Sequence, residues 1–148
     1  VVSPETRSRM MSGIRGKNTQ PELAIRRGLH ALGFRFRLHA KAVPGKPDLI
    51  LPRYKAAVFV NGCFWHRHDC HRFKMPSMRQ EFWAQKIARN VERDVIVHAQ
   101  LRAQGWRLLV VWECALKGRT RLALDVVIGR IAQWLGGAEP SLEIGGAR

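Results

Sequence analysis

Acidic residues are scarce in this chain. Eleven Asp and Glu stand against 26 Lys and Arg in 148 residues, a formal net charge of +15. A surface this basic repels itself without an anionic partner, and nucleic acid and anionic membrane are the common ones. Long apolar runs are missing too. None approaches the ~18 residues of a spanning helix, which argues against the membrane. No positively charged stretch followed by an apolar core opens the chain, so an export signal is not expected. Cysteine is scarce, with only Cys63, Cys70 and Cys114. An odd, low number argues against a disulfide scaffold and leaves free thiols or a metal site in a reducing cytosol. Internal repeats and linkers are also absent. What remains is 46% apolar, enough for one core in one domain and too apolar for a disordered chain.

Residues 1–17 are polar and basic, with Arg7 and Arg9 beside Met10 and Met11, and read as an N-terminal arm. Thr19-Gln-Pro-Glu22 fits a capping box that opens a helix, with Ile25, Leu29 and Leu32 on one face and Gly33 as its stop. Phe34-Arg-Phe-Arg-Leu38 alternates like a half-buried strand. Two further strands are expected at 48–51 and 56–60, then an irregular stretch over 61–78. A long helix follows over 79–104, with Phe82, Ile87, Val91, Val95 and Leu101 near one face. A central strand at 106–112 and a last helix over 120–135 complete the pattern. Residues 136–148 read as a frayed, flexible tail. The order predicts a single α/β domain over 18–135, a central mixed sheet flanked by helices.

Cys63, His68, Cys70 and Cys114 supply three thiols and an imidazole, a closed tetrahedral set for a structural Zn²⁺. A loop of about eighteen residues is unusual in a compact domain unless something fixes it. Three unrelated buried thiols are the plainer reading, and His66 and His71 compete for the imidazole role.

Each acid near a turn carries information because acids are few. Asp48 begins a strand in Pro44-Gly-Lys-Pro-Asp48 and could hold Mg²⁺ against a phosphate, or be an ordinary turn Asp. Glu22 could simply complete the capping box. Asn90 and Asp94 share a helix face; Asp94 could orient a histidine or pair with Arg89 or Arg93. His66 is a natural base near neutral pH, though by spacing alone a spare ligand or surface residue. Phe64, Trp65 and Trp83 could be core, or wedges that stack on bases in a basic protein.

Longer blocks then coincide in order: Thr6-Arg-Ser-Arg-Met-Met-Ser-Gly-Ile14, Pro44-Gly-Lys-Pro-Asp48, Asn61-Gly-Cys-Phe-Trp-His66, Glu81-Phe-Trp83, 86–94, Gly105-Trp106 and Val111-Trp-Glu-Cys-Ala-Leu116. Together they closely resemble the very short patch repair (Vsr) endonucleases over residues 6–119. The resemblance implies a restriction-endonuclease-like fold related to the PD-(D/E)xK nucleases. It also implies a nick in one strand, 5′ to the T of a T:G mismatch left by deaminated 5-methylcytosine.

Carried onto this chain, Asp48 resembles the Mg²⁺ ligand, helped by the Val60 carbonyl, and Glu22 the acid that reaches the ion through water. His66 resembles the catalytic histidine and Asp94 its orienting partner. Cys63, His68, Cys70 and Cys114 resemble the structural zinc set. Phe64, Trp65 and Trp83 resemble a major-groove wedge, and Met11 the residue entering the minor groove. Arg7, Arg9, Lys46 and Asn90 complete the expected DNA contacts. The implied partner is mismatched double-stranded DNA, with mismatch-repair proteins beside it. A monomer in the cytoplasm, on the bacterial nucleoid, is expected.

Two departures stand out. The stretch that usually carries an acid and Lys is apolar here, Val58-Phe-Val60, as in the Vsr variant. Asn61 replaces a second histidine; Asn cannot act as a base, though it can position water. The rival readings are a nicking nuclease with another target, such as modified or foreign DNA in a defence role, and a non-catalytic DNA-binding module.

Overall fold

The structure, a computed structural model, describes residues 19–147. The expected basic arm over 1–17, with Arg7, Arg9, Met10 and Met11, lies outside the described residues.

Thr19 caps helix α1 (Gln20–Ala31): its Oγ1 accepts from the Glu22 N–H at 3.4 Å, and Pro21 sits in the first turn. Ile25 and Leu29 are buried as their spacing predicts, whereas Leu32 is the cap residue and 58% exposed. The alternating segment 34–38 pairs only at its end, as β1 (Arg37–Leu38). Its partner β2 (Leu49–Leu51) is three residues long and offers only Ile50 and Leu49 to it, so Phe34 and Phe36 pack on the core without a ladder.

Next come β3 (Ala56–Asn61), helix α2 (Gln80–Ala103), β4 (Arg107–Trp112), helix α3 (Leu124–Gly136) and β5 (Ser141–Ile144). They form a five-stranded mixed sheet in the order β1-β2-β3-β4-β5. The pairs β1–β2 and β2–β3 are antiparallel; β3–β4 and β4–β5 are parallel. Parallel neighbours need a crossover, and α2 and α3 provide the two. Successive strand residues face opposite sides. Leu49, Leu51, Val58, Leu109 and Val111 pack with α1 and α3, whereas Ile50, Ala57, Leu108 and Val110 pack with Leu101 of α2.

Three expectations need correction. The segment beyond residue 136 is not a frayed tail over its whole length. Ser141–Ile144 extends the sheet beside β4, Ile144 is fully buried, and the Ala147 N–H donates to the Thr120 carbonyl at 2.8 Å. Its apolar residues are too few to announce a strand, and burial against α3 supplies the stability. The last helix begins at Leu124, because residues before it are turned to other partners: the Thr120 hydroxyl bonds the Cys114 carbonyl and the Leu122 N–H the Ala115 carbonyl. On α2, Phe82 and Val95 are exposed, and only Ile87 and Leu101 are fully buried. The inward face of this helix is partly polar, since it walls the cleft described next. Gly45 brings the 39–48 loop against that helix. Its φ is +76°, and a Cβ there would stand 2.2 Å from Val97 Cγ1.

Candidate active site and metal centre

An open cleft of about 700 Å³ lies between the sheet and α2. Glu22 reaches it from the start of α1, Lys46 and Asp48 from the loop into β2, and Val60 and Asn61 from the end of β3. Trp65 and His66 enter from the loop after β3, and Asn90 and Asp94 from α2. Five parts of the chain thus converge on one volume. Asn61, where a second histidine was the family expectation, is buried at the β3 terminus, in register with Trp112.

His66 Nδ1 lies 2.6 Å from Asp94 Oδ2. An ionised carboxylate only accepts, so Nδ1 carries a proton, and in the neutral ring the lone pair is on Nε2. The same helix face fixes the loop, because Asn90 Nδ2 donates to the Trp65 carbonyl at 3.1 Å. Asp94 therefore orients a histidine, and the alternative pairing with Arg89 or Arg93 is not the one formed.

Asp48 is held by the Val60 N–H, which donates to its Oδ2 at 2.7 Å. Burial raises its pKa from 3.8 to about 6; the Val60 bond opposes this, and the neighbouring Glu22 adds to it. A carboxylate so desolvated, beside a second one, is an electrostatic demand for a cation. Glu22 is 1% exposed; its side chain pairs with Arg26, and its backbone N–H donates to the Thr19 hydroxyl. Next to them lies His39, and Glu22, His39 and Asp48 each offer a ligand atom, all within 4.8 Å of one another. The donor set present fits a divalent cation.

Cys63, His68, Cys70 and Cys114 bring their ligand atoms within 4.8 Å of one another and could hold a metal ion. Cys114 Sγ stands 3.5 Å from His68 Nδ1 and accepts from the Gly146 N–H at 3.2 Å. Burial pushes the Cys63 and Cys114 thiols up, the state a soft cation would reverse. The competing imidazoles are placed elsewhere. His66 is engaged by Asp94, and His71 Nδ1 lies near the Thr120 hydroxyl at 3.5 Å.

The aromatic residues form a continuous group. Phe64 meets Trp65 at 5.0 Å and Trp83 at 5.7 Å, and Trp65 meets Trp83 at 5.8 Å between ring centroids. Trp65 is buried, while Phe64 and Trp83 are half-buried and Phe82 is exposed. Basic side chains lie over these rings, Arg79 over Phe82 at 4.2 Å and Lys86 over Trp65 at 5.8 Å.

Sequence reasoning missed His39, Arg26, Trp112 and His98. Arg26 is i+4 from Glu22, a signal that was available. His98, i+4 from Asp94, lines the cleft too, with its pKa lowered by burial and pulled back by Asp94. Nothing local marks His39, which comes to the site through strand pairing.

A half-buried carboxylate and an imidazole–carboxylate pair share one cleft of a strongly basic α/β domain, an arrangement of the kind that suits hydrolases of the nucleic-acid backbone. Residues 1–72 match the family described as DNA mismatch endonuclease Vsr. The Type II nicking enzyme V.XorIIP of Xanthomonas oryzae pv. oryzae is 46% identical over 130 residues, covering 84% of this chain and 96% of the relative. The DNA mismatch endonuclease Vsr of Escherichia coli is 41% identical over 139 residues, 94% and 89% of the two chains. The Type II nicking enzyme V.NmeAIP of Neisseria meningitidis is 40% identical over 119 residues, 80% and 85%. The chain belongs to the Vsr DNA mismatch endonuclease family. Among the described residues no helix is long and apolar enough to cross a membrane.

Proposed function

We propose that this protein nicks one strand of duplex DNA 5′ to the T of a T:G mismatch and so starts very short patch repair of deaminated 5-methylcytosine. The observation that carries the reading is the His66–Asp94 pair at 2.6 Å, sharing a cleft with the half-buried Asp48. On this reading the mixed sheet is a restriction-endonuclease-like core. Asp48 and the Val60 carbonyl, with Glu22 beside them, are the groups that would hold Mg²⁺. Such an ion, when bound, supplies positive charge where the phosphate becomes most negative.

His66 Nε2 takes the proton from the attacking water, and Asp94 holds the tautomer and stabilises the imidazolium that results. Asn61 positions water but moves no proton. Phe64, Trp65 and Trp83 act against the base stack, with Met11 from the opposite groove. A mispaired base costs less to unstack than a paired one, which is the source of selectivity. Lys46, Asn90, Arg7 and Arg9 grip the DNA. Cys63, His68, Cys70 and Cys114 hold a structural Zn²⁺ that fixes the wedge loop to the end of β4. The setting is chromosomal DNA on the bacterial nucleoid, with the protein a monomer working beside mismatch-repair proteins.

The test is a nicking assay on a G:T duplex beside G:C and A:T controls, with and without Mg²⁺. Nicking confined to the T strand of the mismatch with the ion present supports the reading. Equal cutting of matched or methylated duplex would assign another target, and no metal-dependent nicking on any duplex would leave a binding module.

A further inference from the structure

His39 is an imidazole beside Glu22 and Asp48 that the reaction just described leaves unused. It follows β1 directly, at a φ of +48°, uncommon for any residue with a side chain. Its N–H donates to the Asp48 carbonyl at 3.2 Å, so the antiparallel β1–β2 pairing itself ties the two residues together. Its ring Nε2 stands 3.2 Å from Glu22 Oε1 and 3.0 Å from Arg26 Nη2.

Nε2 thus stands between a guanidinium, which only donates, and a carboxylate oxygen, which only accepts; with the ring proton on Nδ1, the Nε2 lone pair is the one a cation would take. Arg26 Nη2 also meets Glu22 Oε1. The imidazole nitrogen and the carboxylate oxygen both stand against a single positive group, with a bite of 3.2 Å between them. Ligand bonds near 2.1 Å place neighbouring donors about 3 Å apart and opposed donors about 4 Å apart. The Glu22, His39 and Asp48 donors, all within 4.8 Å of one another, need little contraction to share one ion.

We infer that His39 is a further protein ligand of the cation site formed by Asp48, the Val60 carbonyl and Glu22, the third side-chain donor there, and that its nitrogen turns this site toward first-row transition ions in preference to Mg²⁺. The inference rests on the reading of Asp48 as a cation ligand and deepens it. Carboxylates and carbonyls suit Mg²⁺, which is satisfied by oxygen and water. Imidazole adds affinity along the transition series and little for Mg²⁺. Arg26 is then a built-in competitor, a guanidinium held on two of the three donors that the ion must displace.

The test uses the full chain loaded with zinc, so that the thiolates are occupied, and without DNA. Mn²⁺ binding is read from loss of the free-ion EPR signal, with Mg²⁺ as competitor. The wild type is expected to prefer Mn²⁺ to Mg²⁺ by about tenfold or more. His39→Gln, which exchanges nitrogen for an amide oxygen, is expected to weaken Mn²⁺ by about tenfold, the lower end of the cost of disturbing a metal's surroundings, while Mg²⁺ changes little. Arg26→Gln is expected to tighten Mn²⁺, a gain that misfolding cannot mimic. Unchanged circular dichroism and zinc content establish that each variant is folded.

Equal Mn²⁺ binding by wild type and His39→Gln overturns the inference, as does a wild type that binds Mg²⁺ as tightly as Mn²⁺. Asp48→Asn separates the two levels. If it weakens Mn²⁺ and His39→Gln does not, only the role of His39 falls. If Asp48→Asn leaves Mn²⁺ binding intact, the site assignment beneath it falls as well.

Discussion

The ring of His68 lies flat on the indole of Trp112, with centroids 4.1 Å apart and planes 7° from parallel. The other side of this relationship is the cleft: the same indole meets His66 at 6.2 Å, edge to face. Trp112 ends β4 and donates through Nε1 to Glu143 of β5. One side chain on the central sheet therefore backs both the thiol cluster and the histidine of the cleft.

That shared wall makes the thiol cluster matter for activity. The purified protein is expected to carry about one zinc per chain, read by elemental analysis. Cys63→Ser or Cys114→Ser should release it, lower the melting temperature and reduce nicking together. Zinc-free protein of parental stability and activity would remove the structural role.

Asp48→Asn should reduce nicking by at least about 10²–10³-fold, the scale on which one preorganised electrostatic group acts. Duplex binding, measured by fluorescence anisotropy, should persist. Parental nicking by the variant would show that the reacting phosphate lies elsewhere.

Asp94→Asn should slow nicking by about 10²–10⁴-fold, the usual span for a general base and its orienting group. The loss should appear in kcat rather than in DNA affinity, and the pH–rate profile should change shape. A variant that merely binds DNA more weakly would make Asp94 a backbone contact.

The Asp48 carboxyl also predicts a pH effect on stability. Its folded pKa, about 6, lies above the unfolded value of 3.8. The folded state therefore holds the proton more tightly, and stability from this group is greatest below pH 3.8 and is lost as pH rises to about 6. The shift corresponds to about 3 kcal/mol at most. In metal-free protein, Asp48→Asn should gain little over wild type near pH 4 and most above about pH 6.5, by thermal unfolding. A gain that is the same at every pH would separate the effect from the titration.

Ile144→Ala should cost about 2–5 kcal/mol, as for other large-to-small changes in a core. Denaturant unfolding measures it, and a change within about 0.5 kcal/mol would return the C-terminal segment to the status of a surface tail.

Much of the site was legible because its residues stand in distinctive local contexts. Asp48 follows Pro-Gly-Lys-Pro, His66 sits in the Cys63-Phe-Trp-His run, and Asp94 shares a helix face with Asn90. The helix over 80–103 and the strand over 107–112 were readable within a residue or two. Their signals are caps, stops and periodicity, all carried by neighbours in the chain. β5 was missed because Ser141-Leu-Glu-Ile144 alternates over only four residues, set among glycines, a signal too short to stand by itself. His39 was missed because its neighbours in the chain say nothing of Glu22 or Arg26.

The sequence by itself determined the composition of the chemistry: a +15 chain with one thiol–imidazole set, an acid after Pro47 and a histidine within a Cys–Phe–Trp run. Tertiary structure alone decided which of these meet. Strand pairing brings His39 to Asp48, the β3–α2–β4 crossover sets Asp94 against His66, and β5 completes the wall behind Cys114. Local patterns record only the preferences of a few adjacent residues. Convergence across the sheet depends on register and crossover, and those are fixed by burial of the whole core at once.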